Sequence, residues 1–186
     1  MKRLIAFGFL ACATGSASAH AVRNEELSVV EKAAHLKAGQ FIWQPSVSTG
    51  PVFLIIDLST QRALLYRDGV AIAASTISTG SKGRETPTGN FTILQKEVVH
   101  RSRTYDDASM PYMQRLTWKG VSMHAGHLPG YPASHGCIRL PPRFAKLLYG
   151  VTEIGTRVRI RDGSASAEMD SSGPEAPADR VPAIAN

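Results

Sequence analysis

From residue 52 onward, apolar positions fall in short runs separated by turn formers. Residues 52–57 are one continuous apolar run. Residues 63–67 lead into Asp68-Gly69, a two-residue hairpin signal, and residues 70–78 supply the partner strand. The same pattern predicts strands over residues 90–94, 98–100, 114–118, 121–123 and 157–161. One helix is predicted after Pro141-Pro142, with Phe144, Leu147 and Leu148 on its apolar face and Gly150 as its stop. Many short strands with little long helical periodicity predict a mainly β fold, a β-sandwich or barrel with one or two short helices.

The flanks read differently. Residues 1–19 carry Lys2 and Arg3, an apolar run over residues 4–13, and Ala17-Ser18-Ala19 in an A-x-A pattern. This predicts a secretory signal peptide cut after Ala19, because the run is too short to cross a bilayer as a helix; no membrane span is expected once it is removed. Leu10-Ala11-Cys12 offers a competing lipoprotein reading, although Phe9 and Leu10 are bulky where lipidation sites taper. Residues 20–50 form an arm and linker. Leu27, Val30, Ala34 and Leu36 give partial helical periodicity, Phe41 and Trp43 an aromatic pair, and Pro45, Ser46, Ser48, Thr49, Gly50 and Pro51 a linker. Residues 162–186 are rich in Ser, Ala, Pro and acids and are expected to stay disordered, which leaves residues 51–161 as the folded domain.

Charge sharpens this division. The chain carries a net +6, and setting aside the two cations of the leader and the net four negative charges of the tail leaves +8 for residues 20–161. A basic exported domain suits acidic cell-wall polymers and peptides bearing carboxylates better than nucleic acid. Simple solvation of the surface is the competing explanation.

Residues 124–141, HAGHLPGYPASHGCIRLP, hold Cys137 and three of the six histidines. Gly126, Pro129, Gly130 and Pro132 exclude a continuous helix or strand and predict a loop. Such a loop can bring His124 back to Cys137, the thiol-plus-imidazole pairing of nucleophilic catalysis. If Cys12 leaves with the leader, Cys137 is the only thiol, and an unpaired cysteine in an oxidising compartment is a candidate reactive group. Its neighbours His135-Gly136 and Ile138-Arg139 do not form the apolar run expected of an inert buried cysteine. His124, His127, His135 and Cys137 are also zinc-ligand types, but their spacing fits no standard short zinc signature, so no metal or other cofactor is predicted. His127 is then read as a loop histidine lining a cleft.

Ser134-His135-Gly136-Cys137-Ile138-Arg139-Leu140, preceded by Met123-His124, resembles the active-site motif of the L,D-transpeptidase catalytic domain of bacterial cell-wall enzymes. Thr79-Gly80 and Thr86-Pro87-Thr88-Gly89-Asn90-Phe91 resemble that family's other recurrent block, and the likeness spans residues 51–161. It implies that Cys137 is the nucleophile and His124 the general base, with the imidazole oriented by the carbonyl of Ala125. It further implies that the backbone N–H groups of His135 and Gly136, with that of Cys137, stabilise an oxyanion. Ser134, His127 and Arg139 become candidate substrate contacts, and Tyr112, with Tyr105 and Met113, a candidate lid. The gap from His124 to Ser134 is shorter than in many members, and Arg139 stands where the family often has Asn. A guanidinium there can grip a carboxylate through two hydrogen bonds or brace a neighbouring loop. The reaction implied is acyl transfer between peptidoglycan stem peptides through a Cys137 thioester, giving 3→3 cross-links, in the periplasm. The alternatives are an L,D-carboxypeptidase on the same stems, a non-catalytic wall-binding protein and a zinc-binding site.

Overall fold

The computed structural model describes residues 29–44, 48–102 and 107–163. The leader with Cys12, Tyr105, part of the linker (Pro45 and Ser46) and the tail from residue 164 lie outside the described residues. Residues 29–34 form a short helix, α1. In chain order there follow β1 (Phe41–Trp43), β2 (Val52–Asp57), β3 (Arg62–Arg67), β4 (Val70–Thr76), β5 (Gly89–Thr92), β6 (Gln95–Glu97), β7 (Met113–Arg115), β8 (Ser122–Ala125), β9 (Ile138–Leu140), α2 (Pro142–Val151) and β10 (Arg157–Arg161).

Six strands make one sheet in the order β1-β4-β3-β2-β10-β5, with β2 and β10 parallel and the other pairs antiparallel. Its interior position explains the unbroken apolar run of β2. Val52, Leu54 and Ile56 enter the main core, while Ile55 packs with Val29 and Ala33 of α1 and with Leu64, Ala71 and Ala74. A strand covered on both faces needs no polar alternation. The β3–β4 hairpin turns at Asp68 (φ 50°) and Gly69 (φ 78°), the left-handed pair that a tight hairpin requires.

The second sheet, ordered β6-β7-β8-β9, positions the chemistry. Its last two strands run parallel, with Met123 opposite Ile138, His124 opposite Arg139 and Ala125 opposite Leu140. Met123, Ala125, Ile138 and Leu140 enter the core beside Phe144, Ala145 and Leu148 of α2. Burying each large side chain in that set contributes about 1.5–3 kcal/mol. Because side chains alternate with period two, Ser122, His124 and Arg139 turn to the other face, and a register slip of one residue would carry them into the core.

Several expectations change. The predicted loop over residues 124–141 begins on β8 and ends as β9, so only its middle is irregular. The strand expected at residues 98–100 is displaced to β6; residues 98–102 instead form an arm bonded to residues 108–112 through Tyr112 N–H to Val98 O, Met110 N–H to His100 O and Ser102 N–H to Ala108 O. Phe41 and Trp43 are a sheet strand rather than part of a loose arm, and their rings lie 5.6 and 5.7 Å from that of Phe144. Gly150 lies inside α2, which ends where the Thr152 N–H and hydroxyl both bond the Leu148 carbonyl. Among the described residues, no helix is long and apolar enough to cross a membrane.

Candidate active site

The face of the second sheet turned away from the core forms the floor of a cleft of about 1000 Å³. Glu97 of β6, Arg115 of β7, Ser122 and His124 of β8, Arg139 of β9 and Cys137 just before it all line this cleft. Cys137 and Arg139 are two residues apart, as are Ser122 and His124, so the pleat alone points all four the same way. The arm at residues 98–102 and the Trp118–Val121 turn form the walls. Among the described residues, the charged lining consists of Arg101, Arg115, Lys119 and Arg139 against a single carboxylate, Glu97.

Cys137 is presented by a turn whose backbone is tied down from outside. Gly136 has φ 112°, a conformation that disfavours any side chain. The Thr86 hydroxyl donates to the Gly136 carbonyl at 2.9 Å and accepts the Gly80 N–H at 2.9 Å, so one buried oxygen joins two loops. Gly80 must lack a side chain, since a Cβ there would sit 2.0 Å from the Arg84 carbonyl oxygen. The Thr79 carbonyl accepts the Ala133 and Ser134 N–H groups, and Ser78 and Arg139 exchange backbone bonds. Thr79-Gly80 and Thr86, which carried no assigned role in the sequence, are thus the brace of the cysteine turn. Ser134 completes it from within: its hydroxyl accepts the Gly136 N–H at 3.1 Å and donates to the Cys137 carbonyl at 2.5 Å.

The imidazole of His124 is fixed by its Nδ1–H, which donates to the Ala125 carbonyl at 2.8 Å. In the neutral ring this leaves Nε2 as the basic nitrogen. Burial lowers the pKa of His124; the Ala125 carbonyl opposes this, and Arg139 and His100 add to it. Burial raises the Cys137 thiol, against the lowering effects of the Ser122 backbone N–H, Arg139 and Arg115. The two shifts favour a neutral thiol and a neutral imidazole in the same cleft. At rest the thiol donates to the Gly120 carbonyl at 3.5 Å.

The YkuD family, described as the L,D-transpeptidase catalytic domain, matches residues 51–160. The chain belongs to that family. Its fold is similar to an L,D-transpeptidase from Stackebrandtia nassauensis, at 27% identity and TM-score 0.56 over 64% of this chain and 58% of that one. It is also similar to an L,D-transpeptidase from Xylanimonas cellulosilytica, at 29% identity and TM-score 0.53 over 64% and 65%. A third similar structure is L,D-transpeptidase 3 from Mycobacterium tuberculosis in complex with a faropenem-derived adduct, at 26% identity and TM-score 0.54 over 59% and 60%. The chain spans less than two thirds of the length of each of these proteins. No curated protein matches it.

Within the L,D-transpeptidase domain, the residues singled out in the sequence separate into two groups. Cys137, His124, Arg139, His127 and His135 line the cleft, with His127 and His135 exposed. Among the described residues, the guanidinium of Arg139 has no hydrogen-bond or ion-pair partner; its aliphatic stem lies where a Cβ on Gly126 would meet it, at 3.1 Å. Ser134 also borders the cleft, but it is 2% exposed and its hydroxyl is held within the turn, where it serves the scaffold. The Gly136 N–H, expected to face an oxyanion, is taken by Ser134 Oγ. Tyr112 packs edge-on against Tyr149 at 5.9 Å and does not line the cleft, and Met113 is fully buried in β7, so neither forms a lid. Among the described residues, no three His, Cys, Asp or Glu side chains gather as metal ligands would. Sequence reasoning passed over Glu97, Arg115 and Ser122, whose period-two placement on three very short strands is the signal that points to them.

Two outcomes follow for this site. Thr86→Val leaves the Gly80 N–H and Gly136 carbonyl without their partner and lowers unfolding free energy by about 2–4 kcal/mol in urea titration, while Thr86→Ser keeps most of it; equal midpoints for Thr86→Val and the parent protein would refute the brace. Because the thiol is raised, iodoacetamide alkylation of Cys137 climbs with a slope of about 1 in log rate per pH unit between about pH 7 and 9. A rate that levels off near neutrality would show that a thiolate exists at rest.

Proposed function

We propose that this protein is an exported cysteine acyltransferase that acts on peptidoglycan tetrapeptide stems and forms 3→3 cross-links through a thioester on Cys137. The observation that carries the reading is the pairing, in one cationic cleft, of a braced Cys137 with an imidazole whose Nδ1–H is held by Ala125. Export to the periplasm rests on the leader pattern of residues 1–19 and on the location of peptidoglycan.

In the first step Sγ attacks the carbonyl on the L-centre of diaminopimelate, and Nε2 of His124 takes the thiol proton as the C–S bond forms. A lowered imidazole pKa keeps His124 unprotonated near neutral pH, the state that a general base requires. The raised thiol makes proton transfer simultaneous with attack instead of prior to it. With Gly136 N–H engaged, the Cys137 N–H is the donor proposed for the developing oxyanion. His124 then passes its proton to the departing D-alanine amine. Arg139, whose guanidinium has no partner among the described residues, is proposed to hold the terminal D-alanine carboxylate through its two-pronged guanidinium. In the second step the side-chain amine of another stem takes the acyl group; water in its place gives L,D-carboxypeptidase activity from the same thioester.

The test uses purified tetrapeptide-bearing disaccharide fragments and separates products by chromatography. Cys137→Ala abolishes both D-alanine release and 3→3 dimers. Arg139→Lys keeps a charge but loses the fork, and lowers the rate of D-alanine release by about 10-fold. Undiminished release by Cys137→Ala would refute the mechanism.

A further inference from the structure

An imidazole–carboxylate pair lies in the same cleft, outside the chemistry assigned above. Nδ1 of His100 is 2.6 Å from Glu97 Oε2, with side-chain exposures of 14% and 36%. The other carboxylate oxygen of Glu97 accepts Gln95 Nε2 at 2.5 Å, and Gln95 Oε1 accepts Arg115 Nε at 2.7 Å. Gln95 faces Arg115 across the β6–β7 ladder, and Arg115 faces Ser122 across β7–β8, so this chain of polar contacts crosses the sheet toward the strand that bears His124. The backbone of His100 is held as well, its carbonyl accepting the Met110 N–H at 2.9 Å. A histidine so fixed, with its proton on Nδ1 facing a carboxylate, presents Nε2 as an acceptor. Both members of the pair line the cleft together with Cys137 and His124.

We propose that His100, oriented by Glu97, is the base that takes the surplus proton of the incoming acceptor amine in the transfer step. The assignment rests on the amine-transfer reading given above. A primary amine with an ordinary pKa near about 10.4 reaches the cleft as an ammonium ion, and an ammonium has no lone pair with which to attack a thioester. His124 cannot remove that proton and also complete the transfer. Its single basic nitrogen must take the second N–H proton as the C–N bond forms and return it to sulfur as the C–S bond breaks. The ammonium therefore brings one proton more than His124 can handle, and Nε2 of His100 receives it. Glu97, the single carboxylate of the cleft lining among the described residues, also attracts the cationic acceptor to that wall, while Arg115, Lys119 and Arg139 disfavour its charged form. Water brings no surplus proton, so hydrolysis of the thioester does not call on His100.

The experiment compares the purified protein with His100→Ala, His100→Gln and Glu97→Gln, using a tetrapeptide donor and a diaminopimelate-containing acceptor. The readout is the ratio of 3→3 dimer to hydrolysed tripeptide. Both products arise from the same thioester, so altered folding or a slower first step cancels. The ratio falls about 100-fold in both His100 variants and about 10-fold in Glu97→Gln. Added imidazole restores it in His100→Ala, and raising the pH toward that of the free amine closes the gap to the parent protein. Ratios in the variants equal to the parent ratio overturn the role of His100 while leaving the proposed function standing. A lowered ratio that neither imidazole nor pH restores assigns His100 a merely structural part and also overturns it. A parent protein that releases D-alanine but makes no dimer overturns amine transfer itself, and this assignment with it.

Discussion

The Thr86 hydroxyl, 2.9 Å from the Gly80 nitrogen and 2.9 Å from the Gly136 carbonyl oxygen, is the constraint on which the site depends. A cysteine on a left-handed glycine turn is easily lost to conformational freedom, and Gly136 loses more backbone entropy on ordering than any other residue type would. The buried hydroxyl offsets part of that cost by satisfying a donor and an acceptor that would otherwise be stranded on two different loops. The Thr79 carbonyl and the Ser134 hydroxyl extend the same arrangement, so the Cys137 backbone is held from both sides before any substrate arrives.

This bracing has a chemical consequence. A turn held so firmly can keep sulfur in a half-buried position where desolvation raises the thiol, while burial lowers His124. A nucleophile that stays protonated until a carbonyl arrives is protected from adventitious oxidation, since the thiolate is the reactive form. The Gly120 carbonyl, as acceptor of the resting thiol, adds to that protection. In the proposed mechanism, activation belongs to the encounter with substrate, when the proton passes to an imidazole already in the correct tautomer. The excess of cations around the cleft among the described residues suits the carboxylate-bearing substrate of that proposal.

Much of the fold was legible. The run at residues 52–57, the Asp68-Gly69 turn and the Pro-initiated helix appear where their local chemistry puts them, because each signal is carried by adjacent residues. The misplaced strands share one cause, which is that tertiary pairing decides very short strands. Gln95–Glu97 is polar throughout and is a strand only because β7 supplies its partner, whereas the more apolar residues 98–100 turn out along the cleft wall. The site divides in the same way. Cys137 and His124 stood out through their residue types and motif, but the structural duties of Ser134 and of the Gly136 N–H depend on a hydrogen bond that no spacing reveals. Glu97 comes to the cleft through sheet register and His100 through the arm bonded to residues 108–112, and neither sits in the stretch that the motif drew attention to.

The central claim is that the braced Cys137, with His124 as its base, is the acylated nucleophile of this cleft. Intact-protein mass spectrometry after incubation with faropenem measures that most directly, since an adduct derived from this compound occurs with the M. tuberculosis relative. The parent protein is predicted to gain one covalent equivalent located on Cys137, His124→Ala to gain it about 100-fold more slowly, and Cys137→Ala to gain none. A parent protein with unchanged mass, or an adduct that persists in Cys137→Ala, would contradict the account.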